Sequence, residues 1–251
     1  SPNTRAVDYT TLSLELLTNM PSEPSVPNDA AAMVVKSSGD VDTDSKSVYL
    51  ASGKTYNGGL NLGNKTYYIS GDITLDNVWG SGIIYILKGG SLKLSHGEGT
   101  LLKNGGATIY NYGTLTTTAS KFYIGGNETL YNAGNLDIPT QVFKCEGKAY
   151  VGGDLNTKGW ESNQNERVNI IGNATVANTA LQLDGNIHVG GSFTAPAITL
   201  QNSCQFVSDC SVKTSGELKL NSNNVVLYAN YVECANLYQC AASTIKLENG
   251  A

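Results

Sequence analysis

Apolar and polar residues alternate along the middle of this chain in short runs, and the runs recur. Ala149-Tyr-Val-Gly-Gly-Asp-Leu, Val168-Asn-Ile-Ile-Gly-Asn-Ala and Ile187-His-Val-Gly-Gly-Ser-Phe share one layout. Their aligned glycines, Gly153, Gly172 and Gly191, lie 19 residues apart. The marker continues back to Gly134, Gly113, Gly90 and Gly71 and forward to Cys210 and Asn230, in steps of 19 to 23 residues. Four positions before it the residue is apolar, as in Tyr67, Ile86, Ile109, Leu130 and Phe206. Two positions after it the residue is apolar again, as in Ile73, Leu92, Leu115, Phe193 and Val212, and the position between is polar in nearly every copy. Period-two alternation predicts strands with one buried face. Glycine at the marker predicts a bend, since glycine adopts backbone angles that other residues avoid.

A third strand recurs farther on, at Leu181/Leu183, Ile198/Leu200 and Leu218/Leu220, then at Ile245/Leu247 after a longer spacer, with Phe122/Ile124 as an earlier member. No long run at i, i+3, i+4 follows Gly71, so helices are not expected there. One strand-rich turn cannot bury its own apolar face, but stacked turns can. The pattern therefore predicts an all-β, single-stranded right-handed parallel β-helix of about nine turns, roughly 40 Å of stack at the usual strand spacing. A hairpin-built sandwich or barrel also uses many short strands. It does not need one residue type at a period near twenty.

Two regions are expected: an irregular N-terminal arm over residues 1–47, a tether and possible cap, and the β-helix over 48–251. In the arm, Leu12, Leu14, Leu16 and Leu17 precede Pro21, Pro24 and Pro27, which break regular structure. The long step between Gly90 and Gly113 predicts a bulging loop at 96–99. The polar segment 158–167, with Trp160, is expected to replace the third strand of its turn as a loop. Residues 233–243 break the period and are read as an irregular spacer or cap.

Charge narrows the partners. Charged residues are 15% of the chain and the net charge is −5, which argues against nucleic acid, since phosphate binding needs a basic footprint. No apolar run is long enough to be a transmembrane segment. Low charge with 28 glycines fits an extracellular solenoid. The five cysteines include two pairs six apart, Cys204/Cys210 and Cys234/Cys240, readable as disulfides or as buried thiols. No metal spacing occurs among them, and His96 and His188 are far apart. No cofactor and no metal are expected.

Three positions before the marker stand Tyr68, Tyr110, Tyr131 and Tyr150, interrupted by Leu87, Asn169 and His188. Outward rings in register form a ladder, either structural or a platform for sugar rings or another protein. Tyr68, Tyr110, Tyr131, Tyr150 and Trp160 are thus the candidate ligand contacts. Asn111 and Asn132, two before the marker, predict an inward asparagine ladder. Asn64, Asn127 and Asn173 open glycosylation-type triplets, which Asn-rich turns also produce freely. Catalysis on polysaccharide needs convergent carboxylates. Asp137, Asp154 and Asp184 do not share one position of the turn, so no catalytic residue is assigned.

Thr66-Tyr-Tyr-Ile-Ser-Gly-Asp-Ile-Thr-Leu75, Ala107-Thr-Ile-Tyr-Asn-Tyr-Gly-Thr-Leu115 and Glu128-Thr-Leu-Tyr-Asn-Ala-Gly-Asn-Leu136 resemble the repeats of secreted right-handed, pectin-lyase-like β-helix surface proteins of Bacteroidetes type, described as cell-adhesion proteins. The resemblance covers about residues 48–250. It implies export, a cell-surface or lipoprotein location, and a non-enzymatic adhesin or binding rod whose partner is a host or cell-surface protein or a glycan. The alternative is a carbohydrate-active β-helix that binds or cleaves polysaccharide. An ice-binding array is a third idea, for which Thr114-Leu-Thr-Thr-Thr118 is a single short run.

Overall fold

The structure, a computed structural model, describes residues 12–32, 38–50, 54–55, 58–95, 105–178 and 181–248. The loop expected at 96–99 lies outside them, as do His96 and Ala251. The described residues contain strands and turns and no helix, and the strands stack in parallel as a right-handed β-solenoid. Two compact units make up the chain: Asn19–Ala133, and Ser1–Thr18 with Gly134–Ala251.

In Asn19–Ala133, the first face is formed by Ala31–Ala32, Ser47–Leu50, Thr66–Ile69, Gly82–Ile86, Ala107–Asn111 and Thr129–Asn132. Its register aligns Tyr49, Tyr68, Tyr85, Tyr110 and Tyr131. The solenoid thus begins inside the arm, where Ala31 pairs with Val48. After the marker, Asp72–Leu75, Ser91–Leu94 and Thr114–Thr117 form the second face. Lys121–Ile124 follows as a third-face strand, with Phe122 and Ile124 buried.

The other unit repeats the plan. Lys148–Val151, Arg167–Ile170, Asn186–Val189, Gln205–Ser208, Val226–Ala229 and Thr244–Leu247 make its first face. Ala174–Val176, Phe193–Ala195, Ser211–Thr214 and Tyr231–Glu233 make the second face. Gln182–Leu183, Ile198–Leu200, Glu217–Leu220 and Asn236–Gln239 make the third. The long strands Leu136–Cys145 and Leu155–Ser162 run through both the second and third faces, with a register shift between Ile138 and Val142.

Inside each unit the alternating apolar side chains form a continuous core. Val168, Ile187, Phe206 and Leu227 are completely buried neighbours in successive turns. Each such side chain stabilises the fold by about 1.5–3 kcal/mol relative to exposure. Asn111 donates from Nδ2 to Asn132 Oδ1 at 2.7 Å, the inward asparagine ladder expected from the repeat.

Three expectations are corrected and one, the first, is refined. The marker glycines Gly71, Gly113, Gly134, Gly153, Gly172 and Gly191 lie at bends as expected, but none from Gly71 to Gly191 has a positive φ. At Gly113 what glycine allows is close approach, since a Cβ there would collide with the carbonyl oxygens of Gly90 and Leu87 in the neighbouring turn. Second, Leu87 does not belong to the tyrosine row. Ile86 pairs with Asn111, and two extra residues precede the marker in that turn, where Gly89 takes φ +82°. Tyr85 therefore fills the row, and the row is continuous through the unit. Third, residue 160 is not on a loop, because the strand Leu155–Ser162 carries it into the core. Fourth, the period survives past Asn230. Asn236–Gln239 supplies the third-face strand, and Ile245/Leu247 belong to the first face, paired with Leu227/Ala229.

Candidate functional site

On the first face of Asn19–Ala133, the rings of Tyr68, Tyr85, Tyr110 and Tyr131 stack with centroids 5.4, 4.9 and 4.9 Å apart. This is the ladder expected from the repeat, with Tyr85 added. Burial lifts the phenols of Tyr68, Tyr110 and Tyr131 above the ordinary tyrosine range, and neighbouring rings lift Tyr68 and Tyr110 further. The ladder is not bare. Tyr68 is only 9% exposed, and the arm lies beside it, with Tyr112 donating its phenol proton to Pro21 O at 2.6 Å.

The unit of Ser1–Thr18 with Gly134–Ala251 has a first face covered by its own N-terminal residues. Asn169 donates from Nδ2 to Leu17 O at 2.9 Å, and Arg167 Nε pairs with Glu15 at 3.4 Å. Leu12 and Leu14 pack against Val207 and Tyr228. Tyr150 lies in this unit, half-buried and in register with Asn169 and His188. His188 bridges Asn169 Oδ1 and Asp209 Oδ2, both at 2.8 Å.

Trp160 is 4% exposed. Its ring meets Phe143 edge-on at 5.0 Å, and its indole N–H donates to Glu166 Oε1 at 2.6 Å. Glu166 also accepts from the Ser162 hydroxyl. Burial pushes the Glu166 carboxyl well above the carboxylate range, against the pull of those two donors. The thiols of Cys145 and Cys204, buried nearby, are pushed up by the same burial and by Glu166. All five cysteines are free thiols. In the other unit Glu128, 3% exposed, accepts from the Ala107 backbone N–H at 2.8 Å, and burial raises its carboxyl to about 7.

These two glutamates escaped the sequence reading, although a signal existed. Glu128 and Glu166 both stand six residues before a marker, as does the buried Cys204. Each closes a corner turn, its backbone N–H donating to Gly125 O, Asn163 O and Gln201 O respectively. The corner directs the side chain inward, so a carboxylate there is buried rather than presented to solvent.

The exposed chemistry lies on the third face of the unit containing Gly134–Ala251. Register places Lys144, Glu161, Gln182, Thr199, Lys219 and Tyr238 in one outward row, one residue per turn. Lys144 pairs with Glu146 at 3.5 Å and with Glu161 at 3.9 Å, and Lys219 Nζ sits 5.0 Å from the Tyr238 ring centre. Beside the row lies a groove of about 410 Å³, walled by Trp160, Ser162, Gln182 and Gln201 among others. Among the described residues, no group of three or more His, Cys, Asp or Glu is placed to hold a metal ion, and no helix is long and apolar enough to cross a membrane.

These features define a parallel β-solenoid with a tyrosine ladder on the first face of Asn19–Ala133 and a polar row on the third face of the unit containing Gly134–Ala251. Comparison with protein-family models, curated proteins and solved structures found no match. The class thus rests on the fold itself.

Proposed function

We propose that the protein is a non-catalytic binding rod of the cell surface, an adhesin that takes an extended glycan along its third face. The carrying observation is the row of Lys144, Glu161, Gln182, Thr199, Lys219 and Tyr238 beside the 410 Å³ groove. Strands stack at about 4.8 Å, close to the advance of one sugar unit, so a polysaccharide along the axis meets a polar side chain at each step. An aromatic ring at Tyr238 gives a sugar face a place to lie. Export and a surface location belong to the same proposal and draw on the repeat resemblance and the low charge.

The second reading is cleavage of that polysaccharide. Its support is Glu166, a carboxyl that burial raises well above the carboxylate range, bonded to Ser162 on the groove wall. A general acid must reach the leaving oxygen. Glu166 is completely buried behind Ser162 and Trp160, which favours binding over cleavage.

One experiment separates the two. The protein is titrated with a panel of neutral and acidic polysaccharides, following tyrosine and tryptophan fluorescence and reducing-end release in the same wells. Binding without release is expected, with affinity falling about tenfold or more in a Gln182→Ala, Lys219→Ala, Tyr238→Ala variant. Release of reducing ends would replace the adhesin reading with the enzymatic one. Binding untouched by the triple variant, or none across the panel, would remove the third-face site.

A further inference from the structure

The arm that covers the tyrosine ladder has a sequence suited to that place. Residues 21–27 read Pro21-Ser-Glu-Pro24-Ser-Val-Pro27, a proline at every third position, and residues 13–27 form neither strand nor helix. Residues 21–29 cross the first face of Asn19–Ala133 turn by turn. Tyr112 donates its phenol proton to Pro21 O at 2.6 Å and to Ser22 O at 3.2 Å. One turn away, the Lys88 backbone N–H donates to Glu23 Oε1 at 2.8 Å. Asp29 lies close enough to Tyr68 for its charge to raise that phenol. Pro24, Val26 and Pro27 are half-buried.

The periods match. A polyproline II helix has three residues per turn and rises about 3.1 Å per residue, so one proline-to-proline step covers roughly 9.3 Å. Two turns of a stack at about 4.8 Å cover roughly 9.6 Å. Prolines at every third residue therefore stay in step with every second ring of Tyr68, Tyr85, Tyr110 and Tyr131. A polyproline II backbone has no internal hydrogen bonds, which leaves its carbonyls free for donors such as the Tyr112 phenol. Aromatic surfaces with a flanking donor are a recurrent way to bind such segments.

We propose that the tyrosine ladder is a docking face for a proline-rich, extended segment of a partner protein, and that residues 21–27 occupy it in cis as a competing ligand. A tethered ligand acts at an effective concentration in the millimolar range. The arm therefore sets a threshold that only a better-fitting or multivalent partner passes. This face is distinct from the third-face groove, so the two readings fail independently.

The test uses a fluorescein-labelled synthetic peptide with the sequence of residues 19–29. It is titrated against the full chain and against the full chain carrying Pro21→Gly, Pro24→Gly and Pro27→Gly. Fluorescence anisotropy is expected to show binding at least tenfold tighter to the triple variant than to the unaltered chain. Adding Tyr110→Ala to that variant is expected to abolish binding, and a peptide with its prolines replaced by glycine is expected not to bind. Thermal melts confirm that each variant is folded, and the single Pro24→Gly variant gives the same comparison if the triple one does not melt cooperatively. No binding by a folded arm variant would overturn the proposal, as would equal binding of the glycine peptide. Concentration-dependent dimers of the unaltered chain that exchange arms would seat a second copy on the ladder and overturn it in favour of self-association.

Discussion

Glu128 shows how a corner position converts sequence into a pH response. Its side chain turns into the stack, and burial lifts its carboxyl from 4.5 to about 7, although the Ala107 and Gly105 backbone N–H groups pull it down. Below pH 4.5 the folded and unfolded chains both hold the proton, and the fold keeps its full stability. From about 4.5 to about 7 only the folded chain holds it, so stability falls as pH rises, by roughly 1.4 kcal/mol per pH unit. The whole window is worth on the order of 3 kcal/mol. Glu166 shifts in the same direction and adds to the slope. We expect the urea midpoint to fall between pH 5 and pH 7, and Glu128→Gln to flatten that fall. An unchanged slope in the variant would mean that Glu128 is ionised inside the fold. The sequence held a hint of this, two acids at one repeat position. Binary patterning could not show it, because at a corner the side-chain direction follows the turn and not the strand alternation.

At the scale of the strand, the repeat was legible wherever one turn copied the next. Asn111 and Asn132 sit at equivalent inward positions, and their amides bond at 2.7 Å with both side chains buried. Replacing Asn111 by Ala removes the donor to a buried amide oxygen, a loss of about 1–3 kcal/mol. Asn132→Ala costs a similar amount, and the double variant should cost less than the sum of the two. Chemical denaturation of the four proteins checks this, and a coupling near zero would mean that the pair bonds independently to other groups. Legibility failed where a turn departed from its neighbours. Lys88 and Gly89 are additional to the neighbouring pattern, so counting back from Gly90 lands on Leu87, and Tyr85 is missed. The segment around Trp160 read as a polar loop because Lys158, Glu161 and Ser162 are polar. The strand nevertheless continues, since Trp160 finds a buried acceptor in Glu166. That partnership is made across a corner and has no sequence periodicity.

At the scale of the whole molecule, stacking turns solves burial along the axis and leaves a problem at its ends, where strands have unpaired edges. Tyr231–Glu233, Asn236–Gln239 and Thr244–Leu247 are each paired on one side only among the described residues. In that turn the side chains that would be core elsewhere stand open: Leu237 is 52% exposed, whereas its register neighbour Leu218 is completely buried. The same residue type in the same register therefore meets two environments, and one substitution distinguishes them. Leu218→Lys places an unpaired charge in the core and is expected to unfold the stack. Leu237→Lys changes a solvent-facing edge, so its effect on stability is expected within about 0.5 kcal/mol, while a lysine on the edge opposes strand addition by another chain. Light scattering during concentration or mild heating should show slower self-association for Leu237→Lys than for the unaltered chain. If Leu237→Lys instead destabilises the protein as Leu218→Lys does, the edge at 236–239 is covered in solution and the stack continues past it.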